Sequence, residues 1–205
     1  MTGAASRSAA AAALLLAALI AGCAAAPSAP EPVSPPPASA APPAAWEASG
    51  RIGIVAGEQA GSAQLRWRQS GSASLVSLRG PLGVGALEIA SDGTDLVVTD
   101  AGGRRVDAEA AQALLEARLG LALPIGELRW WMVGLAAPGS TAVVEDAAQA
   151  PLRTIEQSGW RIGYDGFVRS AGHALPARIE AQRGPVRLKA VIDRWVVHDG
   201  SGAGP

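Results

Sequence analysis

Residues 61–70 alternate between apolar and polar side chains, and this alternation constrains the fold of the chain more than any other feature. Ala63, Leu65 and Trp67 fall on one face of an extended segment, and the polar residues between them fall on the other. A period of two residues predicts a β-strand with one face in a hydrophobic core and the other in solvent. Glycine-containing turns separate this segment from others like it, so we expect a large antiparallel sheet.

Segments with strand character extend over the whole region that begins at Trp46. Gly71 and Asp92–Gly93 punctuate its first half, and Ser158–Gly159 suits a tight hairpin turn in its second half. Many antiparallel strands with few helices predict a curved sheet or a partly closed barrel. We expect strands at 51–56, 61–70, 74–79, 86–90, 95–100, 141–145, 152–157, 160–164, 177–181, 186–192 and 195–197.

The middle of the chain has helical spacing instead. Asp107 can cap a helix with apolar side chains at positions 111, 114, 115 and 119, and Gly120 ends that helix. Pro124 predicts the start of a second helix, which continues to Gly134. We therefore predict a mainly β protein of the α+β class, an open antiparallel barrel of about ten or eleven strands whose open side is plugged by a helical lid.

The N-terminal segment has the layout of a secretion signal. Arg7 precedes an apolar run, residues 14–23, which ends at Cys23, the only cysteine of the chain. With the small residues Ala21 and Gly22 before it, this segment resembles a bacterial lipobox, in which a signal peptidase cleaves before a cysteine that carries diacylglycerol. We expect residues 1–22 to be a lipoprotein signal peptide, and the mature chain to begin at Cys23 with a covalent diacylglycerol and an N-acyl lipid.

A transmembrane helix is the alternative interpretation of this segment. Even when the preceding alanines are included, the moderately apolar stretch extends only from residue 9 to residue 23. A helix needs about 20 residues to span a bilayer. Ala24 follows the cysteine, and no Asp is there. By resemblance to the sorting rule of enteric bacteria, this favours the outer membrane.

The segment after the cysteine has too little apolar surface to fold by itself. Residues 24–45 are almost wholly Ala, Pro and Ser, which is typical of an extended, semi-rigid tether. We expect a lipidated cysteine and tether over 23–45, a folded domain over 46–198 and a flexible tail over 199–205. The net charge of −1 gives no reason to expect nucleic-acid binding.

Little in the sequence favours an enzyme. With Cys23 lipidated no thiol remains. His173 and His198 lie in polar turn-like and terminal contexts, so we interpret each as a solvated loop residue rather than a general base. No cluster of His, Cys, Asp and Glu has the spacing of metal ligands, and no G-x-S-x-G motif occurs. We expect neither catalysis nor a metal, and no cofactor apart from the lipid on Cys23.

The tryptophans allow two interpretations. All six lie in the predicted domain, and four of them, Trp67, Trp131, Trp160 and Trp195, could simply fill a core. A barrel of this many strands is also wide enough to enclose more than its own side chains. In that case, rigid aromatic faces would line a preformed apolar cavity.

The segment 79–85 places an apolar residue in a turn. Pro81, Gly83 and their neighbours require a tight connection between two strands, and Leu82 lies at its tip. Leu82 either folds back onto the sheet or is an exposed hydrophobic contact for a membrane or a partner.

Together with the lipobox, an ordered set of motifs over residues 46–197 resembles the LolB family of outer-membrane lipoprotein receptors. Each motif is weak alone, and none is catalytic. Ala136 and Ala137 replace the proline that the family has after Gly-Leu, and the tail HDGSGAGP also departs from the family. The motifs are W-x-A-x-G-R-I (46–52), A-x-L-x-W-x-Q-x-G (63–71), L-x-G-P-L-G-x-G (78–85), LPI-x-x-L-x-x-W-x-x-G-L (123–135), W-x-x-x-Y-x-G (160–166), LPA-x-I (175–179) and V-x-L-x-x-V-I-D-x-W-V-V (186–197).

The resemblance implies an open β-barrel with a helical lid around an apolar cavity. That cavity would take the acyl chains of lipoproteins delivered by the periplasmic carrier LolA, and a monomeric receptor would release them into the inner leaflet of the outer membrane. The implied insertion loop is Pro81, Leu82 and Gly83, of which Leu82 protrudes. The implied cavity residues are Leu65, Trp67, Leu114, Trp131, Met132, Trp160 and Trp195.

Three alternatives remain open from the sequence. The same cavity could carry another amphiphile, such as a glycolipid. The tryptophans could close-pack in a structural lipoprotein with an ordinary core. An enzyme would require a cleft with two converging titratable groups.

Overall fold

A computed structural model describes residues 33–81, 85–93, 95–119, 124–150 and 152–198. The predicted signal peptide, Cys23, the tail 199–205, and Leu82 and Gly83 of the loop lie outside these residues. The structure includes the backbone of Leu114 but does not describe its side chain.

Antiparallel strands dominate the described residues. Eleven strands form one sheet in the order β6-β5-β4-β3-β2-β1-β13-β12-β9-β8-β7, and β10 pairs with β11 in a separate hairpin. The strands are β1 (Ala45–Ala56), β2 (Gln59–Ser70), β3 (Ala73–Arg79), β4 (Ala86–Ser91), β5 (Leu96–Asp100), β6 (Arg105–Asp107), β7 (Ala142–Asp146), β8 (Arg153–Gln157), β9 (Trp160–Tyr164), β10 (Phe167–Ser170), β11 (His173–Pro176), β12 (Arg178–Arg183) and β13 (Val186–His198).

The large sheet is open, because its edge strands β6 and β7 do not pair with each other. Two helices, α1 (Ala108–Leu119) and α2 (Ile125–Met132), connect these two edges along the chain. The described structure is mainly β, with a large open antiparallel sheet and a helical pair in the middle of the sequence. This confirms the predicted fold class.

Local chemistry explains where the helices begin and end. The Ala110 backbone N–H donates to Asp107 Oδ1 at 2.9 Å, so Asp107 caps α1 as its side-chain chemistry predicts. Helix α2 follows Pro124 and ends at Met132, two residues before the predicted end. The reason is that Gly134 has a φ of +80° and the Leu135 N–H turns back to the Trp130 carbonyl, a glycine-dependent C-terminal stop.

Strand β13 is continuous, whereas the sequence predicted two strands, 186–192 and 195–197. The pairing of β1 with β13 shifts register between Ser49, opposite Arg194, and Gly50, opposite Ile192. This bulge inserts Asp193 and interrupts the alternation, which made one strand look like two. A side chain at Gly50 would approach the Val191 carbonyl oxygen to 2.0 Å, so only glycine fits opposite the bulge.

Three short strands were not predicted. Strand β6 and the hairpin of β10 with β11 have no more than four residues each, too few to show a period of two. The expectation that His173 lies in a turn is wrong, because His173 is half-buried at the start of β11, opposite Ser170. His198 is exposed, as predicted, but it is the last residue of β13 and not a loop residue.

Two hydrophobic clusters form the interior. The first joins residues of β1, β2, β3 and β13 to the end of α2, and it includes Trp46, Leu65, Met132 and Trp195. The second joins α2 to strands β8, β9 and β12, and it includes Trp131 and Trp160. Helix α2 thus contributes to both clusters and lies between the two halves of the sheet.

Residues 33–44, which we call the strap, precede β1 and also contact the domain. Val33 packs against the second cluster, Ala40 packs against the first, and Pro43 is buried. The strap occupies the second half of the predicted tether, and the first half, 23–32, lies outside the described residues. Among the described helices, none is long and apolar enough to cross a membrane.

Candidate apolar binding site

Three indole rings group together on the inner face of the central strands. Ala48 of β1 lies opposite both Trp67 of β2 and Trp195 of β13, so a small side chain separates two large ones in one row of the sheet. Trp46, two residues earlier on β1, has its ring centroid 5.6 Å from that of Trp67 and 5.3 Å from that of Trp195. The alternation of β1, β2 and β13 therefore builds an aromatic wall.

A second aromatic pair lies on the other side of α2. Trp131 of the helix and Trp160 at the start of β9 have ring centroids 6.3 Å apart. Ile155 and Ile162, which lie opposite each other on β8 and β9, are fully buried beside them. This part of the interior is closely packed.

Gln157 fixes α2 and the loop after it. Its Oε1 accepts hydrogen bonds from Trp131 Nε1 at 2.8 Å and from the Ala137 backbone N–H at 2.9 Å. Its Nε2 donates to the Ala137 carbonyl at 2.7 Å and to Ser140 Oγ at 2.8 Å. One buried amide at the end of β8 thus satisfies polar groups of both the helix and its following loop.

Two further contacts hold the C-terminal end of α2. The Tyr164 hydroxyl donates to the Trp131 carbonyl at 2.8 Å, and the Arg153 guanidinium donates from Nη1 to the Gly134 carbonyl at 3.0 Å. Arg153 is only 1% exposed, and its remaining N–H groups form a bidentate pair with Asp146 at 2.7 and 2.8 Å. Helix α2 is therefore attached to β8 and β9 by buried hydrogen bonds.

These contacts also determine the ionisation of the groups involved. The hydrogen bonds from Arg153 hold the pKa of Asp146 below its usual value, since they stabilise the carboxylate. Burial raises the pKa of Tyr164, so its phenol stays neutral and keeps its donor proton. The attachment of α2 is thus unchanged across the neutral pH range.

The inner face of the sheet is only partly covered beyond the aromatic wall. Leu65 of β2 lies opposite Leu78 of β3, which lies opposite Leu87 of β4, so the three form an apolar row. Leu65 is buried, but Leu78 and Leu87 are half-buried, and so is Ile52 of β1. Strands β1 to β4 therefore present an apolar surface that remains partly accessible.

Two cavities in the described part of the chain adjoin the strap. One of about 290 Å³ lies between the strap and the segment that contains Val133, Leu135 and Leu175. Another of about 220 Å³ lies between Pro42, Pro43, Trp46 and Trp130. Because pockets for drug-sized ligands measure about 300–1,000 Å³, neither cavity holds a set of acyl chains without a change of conformation.

Apart from Leu114, whose side chain is outside the described structure, the predicted cavity residues fall into two groups rather than one continuous wall. Leu65, Met132 and Trp195 belong to the first cluster, with half-buried Trp67 packed against it, and Trp131 and Trp160 belong to the second. Sequence reasoning missed Trp46 and Trp130, of which Trp46 alternates with Ala48 in the pattern that identified the other strands. The Trp160 Nε1–H is buried without a hydrogen-bond partner in the structure.

The described residues contain no group of three or more His, Cys, Asp and Glu side chains that could hold a metal ion. What they build is an open sheet with an indole-rich, partly covered inner face and a helix fixed beside it. This arrangement defines a class of protein that encloses apolar groups between a curved sheet and helices.

Comparisons with known proteins identify the family. The family model of outer membrane lipoprotein LolB matches residues 44–195. Outer-membrane lipoprotein LolB of Stutzerimonas stutzeri is 37% identical over 150 residues, covering 73% of each chain. The protein of the same name from Pseudomonas aeruginosa is 36% identical over 151 residues, covering 74% of each chain.

The chain therefore belongs to the LolB family. This confirms the family that its motifs resemble, its role as an outer-membrane lipoprotein receptor and its predicted location as an outer-membrane lipoprotein. Among solved structures, a LolA superfamily protein from Nitrosomonas europaea is 12% identical, with a TM-score of 0.49 and coverage of 78% of this chain and 88% of that chain.

Proposed function

We propose that this receptor accepts lipoproteins from the periplasmic carrier LolA, shelters their acyl chains on its apolar inner face and inserts them into the inner leaflet of the outer membrane. The observation that supports this most directly is the partly covered inner face of β1 to β4 beside the wall of Trp46, Trp67 and Trp195. An ordinary core would bury such a surface completely, because exposed apolar area is unfavourable in water.

The hydrophobic free energy of an acyl chain favours its direct transfer from one apolar binding site to another. Each buried CH₂ is worth about 0.8 kcal/mol, so an acyl chain of about 14 to 16 carbons exposes on the order of 10 kcal/mol if it enters water. A carrier and a receptor that both cover the chain avoid this cost. A difference in affinity of about 1.4 kcal/mol then biases transfer tenfold, and the bilayer is the final acceptor without any need for ATP.

The inner face is already partly accessible, but enclosing a whole acyl chain requires an element that moves, and α1 is the candidate. Helix α2 is held by Gln157, Arg153 and Tyr164, whereas α1 contacts the short edge strands β5 and β6. Strand β6 has three residues and pairs on one side only, so this edge deforms at the lowest cost. We infer that α1 moves with this edge to admit cargo while α2 stays in place as the inner wall.

The two remaining predicted sites complete the mechanism. Lipid on Cys23 would keep the receptor at the membrane surface. Pro81, Leu82 and Gly83 would form an apolar loop that enters the bilayer when cargo is released. The Gly80 N–H donates to the Gly85 carbonyl at 3.4 Å at the base of this loop, at the end of the hairpin formed by β3 and β4. The loop thus joins two paired strands, and an apolar residue within its Pro/Gly-rich sequence supports the proposal of a membrane contact.

A purified transfer reaction tests this proposal. A complex of LolA with a fluorescently labelled lipoprotein is mixed with the receptor anchored in liposomes, and the label that co-sediments with the liposomes is measured. We expect transfer to the liposomes at a rate that rises with receptor concentration. If the label stays with LolA at all receptor concentrations, the proposed hand-over is wrong.

A further inference from the structure

The strap covers an end of the apolar interior. Val133, Leu135 and Leu175 are each less than 5% exposed and belong to the same cluster as Met132 and Trp195. The 290 Å³ cavity lies directly over these three side chains, and Ser34 together with prolines and alanines of the strap forms its other wall. The strap therefore covers this part of the interior and helps to keep these three side chains buried.

The second cavity extends this arrangement toward the aromatic wall. Pro42 and Pro43 line it on one side, and Trp46 and Trp130 line it on the other. Prolines prefer the extended polyproline conformation and pack well against indole rings. The strap thus lines two neighbouring cavities mostly with proline and alanine side chains. Polar side chains complete the walls of both: Ser34, Arg169 and His173 at the first, and Gln69, Ser72 and Arg129 at the second.

Few polar interactions hold the strap in position. In the described structure, its hydrogen bond to the domain is donated by the Gly71 N–H to the Ala44 carbonyl at 2.7 Å, at the junction with β1. The hydrogen bond from the Ala40 N–H to the Pro37 carbonyl lies within the strap itself. Residues 33–44 carry no charge, and five of them are prolines, which lack an N–H donor. Release of the strap would therefore leave few polar groups unpaired.

This contrasts with the attachment of α2, whose residues Arg129 and Trp130 line the second cavity. There, Arg153 donates to the Gly134 carbonyl, and the Tyr164 hydroxyl donates to the Trp131 carbonyl. Of the two walls, the strap is the one that an apolar ligand can displace without breaking buried hydrogen bonds. An alkyl chain could take the place of the strap because it is also slender and largely apolar, and it needs no hydrogen-bond partner.

We propose that the region beneath the strap is an entry subsite for an acyl chain and that the strap is its resident occupant, displaced when cargo binds. This inference rests on the proposed binding of acyl chains, and it adds a second, competing ligand that belongs to the receptor itself. Cargo binds only to molecules in which the strap is released. The apparent dissociation constant for cargo is therefore the intrinsic dissociation constant divided by the fraction of molecules with a released strap. It also keeps Leu135 and Leu175 covered when no cargo is present, which limits aggregation.

The test compares the binding of a fluorescent fatty acid, such as dansyl-undecanoic acid, by variants of the mature chain kept free of lipid by Cys23→Ser. In the released variant, glycine replaces the strap prolines at 35, 36, 37, 42 and 43, because glycine removes both the apolar contacts and the preference for an extended conformation. The matched control carries Pro27→Gly, Pro30→Gly and Pro32→Gly, which lie in the same Ala/Pro-rich segment before the strap. A milder variant changes only the prolines at 35, 36 and 37, which avoids the buried Pro43.

If the strap is docked in about 70–90% of molecules, the released variant should bind the fatty acid about 3–10-fold more tightly, and the control should bind it like the parent chain. Urea unfolding shows whether each variant folds. If the released variant does not fold, the fatty-acid affinity of the milder variant is compared with that of the parent chain instead. Equal or weaker binding by a folded released variant would overturn the strap inference while leaving acyl-chain binding intact. Absence of binding by the parent, control and released variants alike would refute both proposals.

Discussion

Replacement of the buried amide that holds α2 should reveal how firmly this helix is attached. In Gln157→Leu the side chain keeps a similar size, but Trp131 Nε1–H and the Ala137 N–H both lose their acceptor. Each buried donor left unpaired costs about 1–3 kcal/mol. Partial relaxation of the 137–140 loop toward solvent reduces the sum, so we expect a loss of about 3 kcal/mol in the free energy of unfolding.

Urea unfolding of the lipid-free chain measures this loss. With a slope of about 2 kcal/mol per molar urea, the midpoint should fall by about 1.5 M. Gln182→Leu is the matched control, because Gln182 is exposed on β12 and its replacement should change stability by less than about 0.5 kcal/mol. The tryptophan emission, to which all six indoles contribute, should shift to longer wavelength in Gln157→Leu but not in Gln182→Leu, since the freed indole of Trp131 would meet water.

A loss of less than about 1 kcal/mol for Gln157→Leu would refute the reasoning. It would mean that apolar packing of Trp131 and Met132, rather than the polar network, keeps α2 in place. In that case the assignment of α2 as the fixed wall, and of α1 as the moving element, would lose its basis.

Three other predictions concern the inner face, the loop and the ion pair. Trp67→Ala should weaken fatty-acid binding about tenfold, because half-buried Trp67 lies at the accessible inner face; an unchanged dissociation constant would make this side chain core filler. Leu82→Glu should leave folding and cargo acceptance intact but impair incorporation of lipoprotein into liposomes, and normal incorporation would argue against the insertion loop. Asp146→Asn should cost about 2 kcal/mol at pH 7, because Arg153, 1% exposed, loses its anionic partner. The pKa of Asp146 is lower in the folded state than in the unfolded state, so the carboxylate stabilises the fold above its unfolded pKa. This contribution is lost as the pH falls through the folded-state pKa. In chemical unfolding experiments, the difference in stability between Asp146→Asn and the parent should therefore shrink below about pH 4.

Several features of the fold could be read from short stretches of sequence because their causes are local. The alternation of Ala63, Leu65 and Trp67 follows from the two-residue repeat of a strand, whatever lies opposite. The cap at Asp107 and the stop at Gly134 each depend on a few neighbouring residues. The ordered motifs were enough to identify the family, since the comparisons match nearly the same residues.

Other features depend on residues that are far apart in the chain. Gln157 reaches Trp131, 26 positions away, and nothing in the sequence near either residue indicates that their side chains meet. The bulge at Asp193 becomes visible only when β13 is aligned against Gly50. The predicted cavity residues were brought into two clusters because α2 enters between the halves of the sheet, a position that local spacing does not encode.

The sequence by itself determined most of the strands, the start of α1 and the family of this protein, because periodicity, capping and motifs act over a few residues. Only the tertiary structure decided which apolar surface stays accessible, how α2 is attached and where the strap lies. The physical reason is that the strap has no periodicity and no charge, so its position depends entirely on the apolar surface that the folded sheet, α2 and the hairpin of β10 with β11 offer it.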